Sequence, residues 1–378
     1  MPITLGIVNE AAGGERRVAM EPGTATRLQK QGVRVLMQQE AGLAAGFAED
    51  AFADVERVAD NAAVYAAADV VFTVNPPSEA DIARLKDDAI LIGTLYPSRF
   101  PERVAKLRDR GLTAFAMELI PRISRAQAMD VLSSQAAVAG YKAAIMGADL
   151  CPRFFPMLTT AAGTIRPAQV MVIGAGVAGL QAIATARRLG AKVDAYDVRS
   201  ATKEQVESLG GRFIELSITA EGEGGYAREL TEAERQTQQD ELAGHIAKAD
   251  VLITTASVPG KPAPKIVTEA MVTGMKAGAV IIDLAAEGGG NCVLTQPGET
   301  TVQQGVTLHA PLHVPSQVAF HASETYAKNL FNFLRPLLTE AGELAIDWDD
   351  EVVAGSLLTR AGEIVHEPTR QLVTGESA

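Results

Sequence analysis

Residues 169–190 of the chain read QVMVIGAGVAGLQAIATARRLG. The apolar run 170–173 predicts a buried strand, and the small residues that follow Gly179 predict a helix. A second apolar run, 191–196, predicts the next strand, which is followed by Asp197. Strand, glycine-rich turn, helix, strand and acid in this order are typical of a domain that binds a dinucleotide.

Each glycine of this turn has its own physical role. Gly174 permits the tight turn, Gly176 lets the backbone approach a pyrophosphate, and Gly179 lets the helix pack against the strand. The helix start at Val177 and Ala178 offers free N–H groups, which bind phosphate together with the helix dipole. The sequence therefore predicts a phosphate-binding turn on these five residues.

Asp197 is placed to accept hydrogen bonds from the hydroxyl groups of the adenosine ribose. A carboxylate there would repel a 2′-phosphate, so the pattern predicts NAD(H) rather than NADP(H) as the bound cofactor. Val198 and Arg199 are assigned to the same pocket, and Arg199 leaves NADP(H) as the alternative. Thr255 and Ala256, at the end of a predicted strand, are also assigned to cofactor binding.

The bulk properties exclude several functional classes. A chain of 378 residues predicts two domains, because domains usually have about 100–200 residues. The net charge of -12 argues against binding to nucleic acid, which needs a basic face. Two cysteines and five histidines have no spacing typical of a metal site, so we expect no metal. No basic leader or apolar run of about 18–20 residues is present, which predicts a cytoplasmic protein without membrane spans.

Apolar runs alternate with helical stretches along the whole chain. They predict an α/β fold with two Rossmann-like, doubly wound parallel sheets joined by long helices over residues 123–147 and 316–334. The first domain would comprise residues 1–125 and 335–378, and the second, which binds NAD(H), residues 126–334. The cleft between two such domains is the expected ligand site. Predicted strands are 3–8, 33–37, 69–74, 89–93, 113–117, 212–215, 251–255, 280–284 and 306–308.

A glycine-rich insertion at 217–230 interrupts the nucleotide-binding domain. It has few large apolar residues apart from Tyr226. One interpretation is a surface loop without a role. The other is a lid that closes over the nucleotide, with Gly225 and Tyr226 in contact with it.

A second polar group lies at the start of the first long helix. Arg122, Arg125, Gln127, Asp130 and Ser133 are crowded into a stretch that needs no polarity as a connector. The spacing of Gln127, Asp130 and Ser134 predicts that these three share one helix face. A solvated helix face is the simpler interpretation. At a domain junction, however, the same group could bind a nicotinamide carboxamide and its ribose.

Several stretches resemble the NAD(H)-binding component of proton-translocating nicotinamide nucleotide transhydrogenases. They are MELIPRISRAQAMDVLSSQ at 117–135, TTAAGT at 159–164, the glycine turn, DVRSATKEQVESLGG at 197–211, PGKPAP at 259–264 and IIDLAAE at 281–287. The resemblance implies that Arg122, Gln127 and Asp130 act at the nicotinamide end, with Ser133 nearby. It also implies that Asp197 binds the adenosine ribose and that Tyr226 belongs to a mobile loop.

Alanine dehydrogenases share this fold and are the competing interpretation. Arg17 matches their carboxylate-binding arginine, but Thr73 and Asn75 stand in the places of their lysines, and Tyr96 stands near that of their histidine. Oxidation of an amine needs a general base for the proton on nitrogen, whereas hydride transfer between two nicotinamides does not. The residues therefore favour transhydrogenase, with Tyr96 as the one acid that keeps the dehydrogenase open.

The resemblance completes the functional prediction. It implies an NAD(P)⁺ transhydrogenase subunit, Re/Si-specific and proton-translocating, that passes hydride between NADH and NADP⁺ on a partner component. It further implies a homodimer, a membrane-spanning partner, and a peripheral location on the cytoplasmic face of the inner membrane. A module that senses NAD without catalysis is the third alternative.

Overall fold

The computed structural model describes residues 1–218, 231–258 and 261–375. The strands are β1 (Thr4–Ile7), β2 (Arg34–Gln38), β3 (Glu56–Val58), β4 (Val70–Thr73), β5 (Ile90–Gly93), β6 (Thr113–Ala116), β7 (Leu158–Thr160), β8 (Gly163–Ile165), β9 (Gln169–Ile173), β10 (Lys192–Tyr196), β11 (Arg212–Phe213), β12 (Val251–Thr254), β13 (Val280–Asp283), β14 (Thr300–Gln303), β15 (Val306–His309), β16 (Leu357–Arg360) and β17 (Glu363–Ile364). The helices are α1 (Pro22–Lys30), α2 (Asn61–Ala67), α3 (Glu79–Ile82), α4 (Pro101–Asp109), α5 (Val131–Leu150), α6 (Val177–Arg188), α7 (Lys203–Ser208), α8 (Glu232–Ile246), α9 (Glu269–Thr273), α10 (Ala319–Leu334), α11 (Glu351–Ser356) and α12 (Glu367–Thr374).

The chain forms two compact units. Unit 1 comprises Met1–Gln135 and Pro315–Ala378, and unit 2 comprises Ala136–Val314. The sequence-based division lay at residues 125 and 334 instead. Gln135 belongs to unit 1 because its side chain accepts from Arg17 (3.0 Å) and donates to the Ala322 carbonyl (3.0 Å). Helix α10 belongs there because its buried Tyr326 donates to the carbonyl of Thr73 (2.8 Å).

Unit 1 is built on a sheet with the strand order β17-β16-β6-β5-β4-β1-β2-β3. Strands β1 to β6 are parallel to one another, and β16 and β17 extend the sheet as antiparallel strands. The chain order reverses at β1, which has β2 on one side and β4 on the other. The six parallel strands therefore have the doubly wound order 3-2-1-4-5-6 of Rossmann domains.

Unit 2 repeats this arrangement. Its large sheet has the order β11-β10-β9-β12-β13-β15-β14, in which only β14 is antiparallel to its neighbour. The order reverses at β9, between β10 and β12. The predicted fold class, α/β with two Rossmann-like doubly wound sheets, is confirmed. In such sheets the point of reversal is where ligands bind, outside the carboxyl ends of the strands.

The central strands are buried on both faces. Every residue of β4, β5, β12 and β13 is buried, because helices cover both sides of a parallel sheet. On β4, alternate residues face opposite sides: Phe72 belongs to one hydrophobic cluster with Phe115 and Tyr326, and Val71 to another with Leu91. Each sheet thus separates two cores and holds its loops on a rigid frame.

The predicted start of the first long helix is wrong. Residues Ser124–Met129 form a separate 3-10 segment, and α5 starts only at Val131. The side chain of Asp130 accepts hydrogen bonds from the N–H of Ser133 (2.8 Å) and from its hydroxyl (2.5 Å). Asp130 therefore caps the helix, a local effect that an alanine-rich composition does not reveal. The second long helix likewise begins at Ala319, after a 3-10 segment.

Most of the missed strands are short or exposed. They are β3, the antiparallel hairpin of β7 and β8, the edge strand β14, and the pair β16 and β17 that returns the chain to the first sheet. Strand β8 is exposed throughout, so it lacks the apolar alternation that marks a strand in sequence. Among the residues that the structure describes, no helix is both long and apolar enough to cross a bilayer.

Candidate functional site

The glycine-rich turn lies directly after β9, at the point where the strand order of unit 2 reverses. Gly174 has a φ of +93°, and a Cβ there would lie 2.6 Å from Oγ1 of Thr255. A Cβ on Gly179 would lie 1.8 Å from the carbonyl oxygen of Gly174. Both positions exclude any larger residue, so the turn and the start of α6 are fixed by the chain itself.

Gly176 is different, because no atom of the described residues crowds it. The nearest atom to an added Cβ is Nη2 of Arg199, at 4.0 Å. Gly176 is also the N-cap of α6, and within the described residues no side chain caps this helix. The N–H groups of the first turn, at the half-buried Ala178 and the exposed Val177, are therefore suited to bind an anion.

The carboxylate of Asp197 lies beside this turn. Its Oδ2 accepts from the N–H of Ala175 (2.6 Å) and from Nη2 of Arg199 (2.9 Å). Its Oδ1 accepts from the N–H and from Nε of Arg199, both at 2.9 Å. Burial alone would raise the pKa of Asp197, but the hydrogen bonds from Arg199 and Ala175 hold the pKa below its usual value. Asp197 is therefore a charged acceptor at the end of β10.

Thr255 and Ala256 lie on the other side of the turn. The hydroxyl of Thr255 donates to the carbonyl of Gly174 (2.9 Å), and its N–H donates to the carbonyl of Ile173 (2.9 Å). Ala256 is held by the side chain of Asn291, which accepts from its N–H (3.0 Å) and donates to its carbonyl (2.8 Å). The structure thus brings the predicted residues of the turn together with this pair.

Three further predicted residues need separate comment. Val198 is half-buried and packs against one hydrophobic core of unit 2. Gly225 and Tyr226 lie outside the described residues, as does most of the predicted 217–230 loop. Their assignment to cofactor binding stays a prediction.

The second predicted group lies in unit 1. Arg122 and Gln127 are exposed, whereas Asp130 and Ser133 are half-buried and bind each other as the cap of α5. Arg125, one turn from Arg122, pairs with Asp350 (2.9 Å). Two of the four predicted residues, Arg122 and Gln127, are thus exposed on the loop, and the other two fix its end.

Helix α10 holds this loop in place. The side-chain amides of Asn329 and Asn332 both donate to the carbonyl of Ala128 (2.8 and 3.0 Å). Asn329 also accepts from the hydroxyl of Ser134 (2.7 Å). The loop around Gln127 is therefore braced by three polar contacts, which is the rigidity that a positioning group needs.

Arg17 is paired within unit 1. Its guanidinium donates to both oxygens of Glu15 (2.9 and 2.7 Å) and to the side-chain oxygen of Gln135 (3.0 Å). Glu15 also accepts from the amide of Asn75 (2.9 Å) and from the hydroxyl of Ser316. Burial would raise the pKa of Glu15, but these donors, Arg17 foremost, lower it to about 2. The arginine and the glutamate therefore form a charged, hydrogen-bonded pair.

Thr73 and Tyr96 stand where alanine dehydrogenases have a lysine and a histidine, and both make hydrogen bonds within unit 1. Thr73 is buried at the end of β4, and its carbonyl accepts from Tyr326. Tyr96 has a φ of +45° and is 37% exposed, and its N–H donates to the buried carboxyl of Glu118. Burial would lower the pKa of Arg17, but Glu15 foremost, with Tyr96 and Tyr326, raises it.

Asp283 has a structural role within unit 2. Asp283 is buried and accepts hydrogen bonds from Thr254, Ala285, Cys292 and Thr295, which explains its place at the end of β13.

Within the described part of the chain, no group of three or more histidine, cysteine, aspartate or glutamate residues could hold a metal ion. The sequence did not single out Asn291, whose partners Ala256 and Pro264 lie far from it along the chain.

The chain matches two family models over most of its length. They are described as "Alanine dehydrogenase/PNT, N-terminal domain", over residues 6–139, and "Alanine dehydrogenase/PNT, C-terminal domain", over residues 143–367.

Several known proteins are similar to it. It is 48% identical over 386 residues to the first part of NAD(P) transhydrogenase subunit alpha of Rhodospirillum rubrum, a match that covers 99% of this chain and 100% of that protein. It is 30% identical over 326 residues to the alanine dehydrogenase of Bacillus subtilis, with coverage of 83% and 80%. The crystal structure of a transhydrogenase from Sinorhizobium meliloti matches with a TM-score of 0.85 at 41% identity, covering 97% of this chain and 99% of that one.

Proposed function

The chain belongs to the alanine dehydrogenase/PNT family, and from this premise we propose that it is the NAD(H)-binding subunit of a proton-translocating NAD(P) transhydrogenase. It would transfer hydride between its own NADH and NADP⁺ that a partner component holds. The relative from Rhodospirillum rubrum is named as the first part of an alpha subunit, which supports a role as one piece of a larger assembly.

Unit 2 has the groups that a bound NAD(H) requires. The open space at Gly176 and the uncapped start of α6 suit a pyrophosphate. The ionised Asp197 suits the two hydroxyl groups of the adenosine ribose, and its charge disfavours a 2′-phosphate. Thr255 and Ala256, past the point where the strand order reverses, suit the nicotinamide half. Gly225, Tyr226 and Val198 belong to the same proposed pocket.

The braced loop of unit 1 would act at the nicotinamide. A carboxamide offers both donors and an acceptor, and Gln127 and Arg122 are exposed residues that can match them. Asp130 and Ser133 fix the end of that loop. When bound, NADH supplies the hydride, so the protein has only to orient the two rings and exclude water.

The observation that carries this proposal is the chemistry around Arg17. Its charged partner is Glu15, and the amide of Asn75 donates to the same carboxylate. In the described part of the chain, the other side chains that hydrogen-bond this pair are Gln135, Asn75 and Ser316, and none of them is a lysine or a histidine. Oxidation of an amine needs such a base, whereas transfer between two nicotinamides does not.

Alanine oxidation is the second candidate. The similarity to the alanine dehydrogenase of Bacillus subtilis and the buried arginine at position 17 favour it. This reaction needs a general base for the proton on nitrogen. Tyr96 is the candidate, and its hydroxyl would have to accept that proton. A module that binds NAD without turnover would need the same unit 2 but no loop at Gln127.

The partners follow from the same proposal. Unit 1 has the Rossmann strand order, but no glycine triplet follows its first strand. This supports one dinucleotide site on this chain, with NADP(H) held by another component. We propose a homodimer that attaches to a membrane-spanning component at the cytoplasmic face of the inner membrane.

The test is NADH consumption after the protein is mixed with the NADP(H)-carrying component of a transhydrogenase, in the presence of NADP⁺. An assay of the protein alone with L-alanine and NAD⁺ runs beside it. We expect NADPH to form only in the mixture and no NADH to form from alanine. Activity with alanine alone would favour the dehydrogenase, and NADH binding without turnover in either assay would favour the sensing module.

A further inference from the structure

Asn291 is a buried asparagine in unit 2 whose side-chain contacts are all with backbone groups. Its side-chain oxygen accepts from the N–H of Ala256 at 3.0 Å. Its amide nitrogen donates to the carbonyl of Ala256 at 2.8 Å and to the carbonyl of Pro264 at 2.9 Å. The residue has no solvent exposure. One acceptor and two donors in a plane are what only a carboxamide offers, so these three contacts specify the residue type.

These contacts join two points of the chain. One side chain binds the backbone of Ala256 and that of Pro264. The preceding Thr255 donates to the carbonyl of Gly174 (2.9 Å), in the phosphate-binding turn. A Cβ on Gly174 would meet Thr255 at 2.6 Å. The position of Asn291 is thus transmitted to the turn through two consecutive residues.

The backbone that carries Asn291 is itself fixed. Its carbonyl accepts from the N–H groups of Ile266 (2.8 Å) and Val267 (3.0 Å). The preceding Gly290 has a φ of +84°, and a Cβ there would lie 2.6 Å from the carboxylate of Asp283. The carboxylate of Asp283 also accepts a hydrogen bond from the N–H of Cys292, the residue after Asn291, at 3.0 Å. The amide of Asn291 therefore has a rigid base and no room to turn.

The order of the strands indicates which part of a dinucleotide the backbone of Ala256 serves. Strand β10, which ends at Tyr196, just before Asp197, and strand β12, which ends beside Thr255, lie on opposite sides of β9. The two halves of a dinucleotide bind on opposite sides of such a reversal point. The adenosine half therefore belongs with Asp197. The nicotinamide half belongs with the backbone of Ala256, which Asn291 holds.

We propose that Asn291 is a positioning residue for the nicotinamide half of the cofactor, which it serves by holding the backbone of Ala256 against the phosphate-binding turn. This inference rests on the proposed binding of NAD(H). It separates two effects: loss of Asn291 disturbs the nicotinamide half, and loss of Asp197 disturbs the adenosine half.

The experiment compares the affinities for NADH and for 5′-AMP, which contains only the adenosine half. For Asn291→Ala we expect the Kd for NADH to rise at least ten-fold and the Kd for 5′-AMP to stay within two-fold of the parent protein. Amide exchange at Ala256 should become faster, because its N–H loses its acceptor. For Asp197→Ala we expect the Kd for 5′-AMP to rise.

Two further variants separate positioning from folding. Val206→Ala removes a buried side chain of the same unit that belongs to a different hydrophobic cluster from Val267 and Cys292, the neighbours of Asn291, and should lower Tm without changing either Kd. Asn291→Asp keeps the acceptor but donates only when protonated, so its affinity for NADH should recover as the pH falls from 8 to 5. This recovery would not occur for a residue that acts only on stability.

The outcomes distinguish two failures. If the parent protein binds NADH and Asn291→Ala binds it within two-fold, with unchanged exchange at Ala256, the role of Asn291 is overturned and the proposed function stands. An equal loss of NADH and 5′-AMP affinity, with no pH-dependent recovery in Asn291→Asp, also overturns it. If the parent protein itself binds no NADH, the proposed function fails first.

Discussion

The carboxylate of Asp197 accepts four hydrogen bonds from its own chain, two on each oxygen. A carboxylate has about four acceptor positions, so a ribose hydroxyl must replace one donor. Two of the donors are backbone N–H groups, and the others belong to the guanidinium of Arg199. We therefore expect the guanidinium of Arg199 to turn away from Asp197 when a ribose binds. It would remain near the 2′ position of that ribose.

Replacing Asp197 by Asn should change the cofactor preference. The substitution removes the charge that repels a 2′-phosphate and frees the Arg199 guanidinium to pair with that phosphate. We expect the affinity for NADH to fall about ten-fold and that for NADPH to rise about ten-fold, roughly 1.4 kcal/mol each. Fluorescence titration with both nucleotides measures the two constants.

The same strand offers a matched control. Asp194 forms a two-fold hydrogen-bonded pair with the exposed Arg212 (2.8 and 2.6 Å), similar to the pair at Asp197. Asp194→Asn should therefore leave both nucleotide affinities unchanged. An affinity for NADPH that does not rise in Asp197→Asn would contradict the assignment of Arg199.

Gln127 is the second residue whose role a single substitution can test. It is exposed, so Gln127→Asn should fold normally while its amide moves by one bond length from the nicotinamide. We expect hydride transfer in the mixture to slow at least ten-fold, with the Kd for NADH within two-fold of the parent. Stopped-flow absorbance measures the transfer. Gln29→Asn, on α1, is the control, and equal rates in the two variants would remove Gln127 from the site.

At the scale of elements, the phosphate-binding turn contains one glycine that the fold requires and one that only a bound ligand would require. Gly179 is required by the fold, since its Cβ would lie 1.8 Å from the Gly174 carbonyl oxygen. Gly176 has a φ of -75°, which any residue can adopt, and among the described residues the atom nearest to an added Cβ lies 4.0 Å away. A glycine that the fold does not require, at the N-cap of a helix, is what close approach by a ligand would explain.

A pair of alanine substitutions tests this difference. Gly179→Ala should lower the Tm by several degrees, because its new methyl group forces the turn apart. Gly176→Ala should keep the Tm of the parent but raise the Kd for NADH more than about ten-fold, because the methyl group fills the space for the pyrophosphate. Differential scanning calorimetry and NADH titration give both quantities. Unchanged NADH binding in Gly176→Ala would remove the turn from the proposed pocket.

What the sequence could predict at this scale depends on how local the constraint is. The turn was predictable because strand, glycines and acid follow one another within a short stretch. Asn291 was not, because its partners lie 35 and 27 positions away, at Ala256 and Pro264. Asp130 has a local signal, but its capping of α5 and its proposed role at the nicotinamide use the same residue type, so sequence could not separate them.

At the scale of the whole molecule, the six parallel strands of each large sheet have the same order. Alternating strands and helices were enough to predict two doubly wound sheets, but not the order of their strands. The buried carboxyl groups of unit 1 were beyond sequence reasoning, because their environment comes from neighbouring strands. Glu10 accepts from the N–H groups of Val74 and Asn75, which follow β4 (2.7 and 2.8 Å). Glu118 accepts in the same way from Leu95 (3.0 Å) and Tyr96, which follow β5.

These two carboxyl groups link the stability of unit 1 to pH. Burial is the main cause that raises the pKa of Glu10 and that of Glu118 to about 7, although backbone N–H groups act against it. In the unfolded chain a glutamate has a pKa of about 4.3. Between these values the folded protein binds more protons than the unfolded chain, so the stability that these groups contribute is lost as the pH rises from about 4.5 to about 7.

Glu15 has the opposite linkage. Its pKa is held at about 2, so its contribution is present above the unfolded pKa and is lost only as the pH falls from about 4.5 towards 2. Histidines His245, His309 and His366 have lowered pKa values through burial, and they favour folding more as the pH rises. The slope of the parent protein between pH 5 and 7.5 is therefore a sum of opposing contributions, and only a difference between variants isolates Glu10 and Glu118.

The variant with Glu10→Gln and Glu118→Gln provides that difference. We expect its free energy of unfolding, relative to the parent, to increase steadily from pH 5 to pH 7.5, because two titrating groups have been replaced by neutral ones. Urea unfolding at four pH values in this range measures it. Glu56→Gln, which removes an exposed carboxylate paired with Arg34, is the control for the loss of a surface carboxylate in the same unit. A constant difference for the double variant would mean that both carboxyl groups titrate normally, and that the loops after β4 and β5 are not held by buried, proton-binding acids.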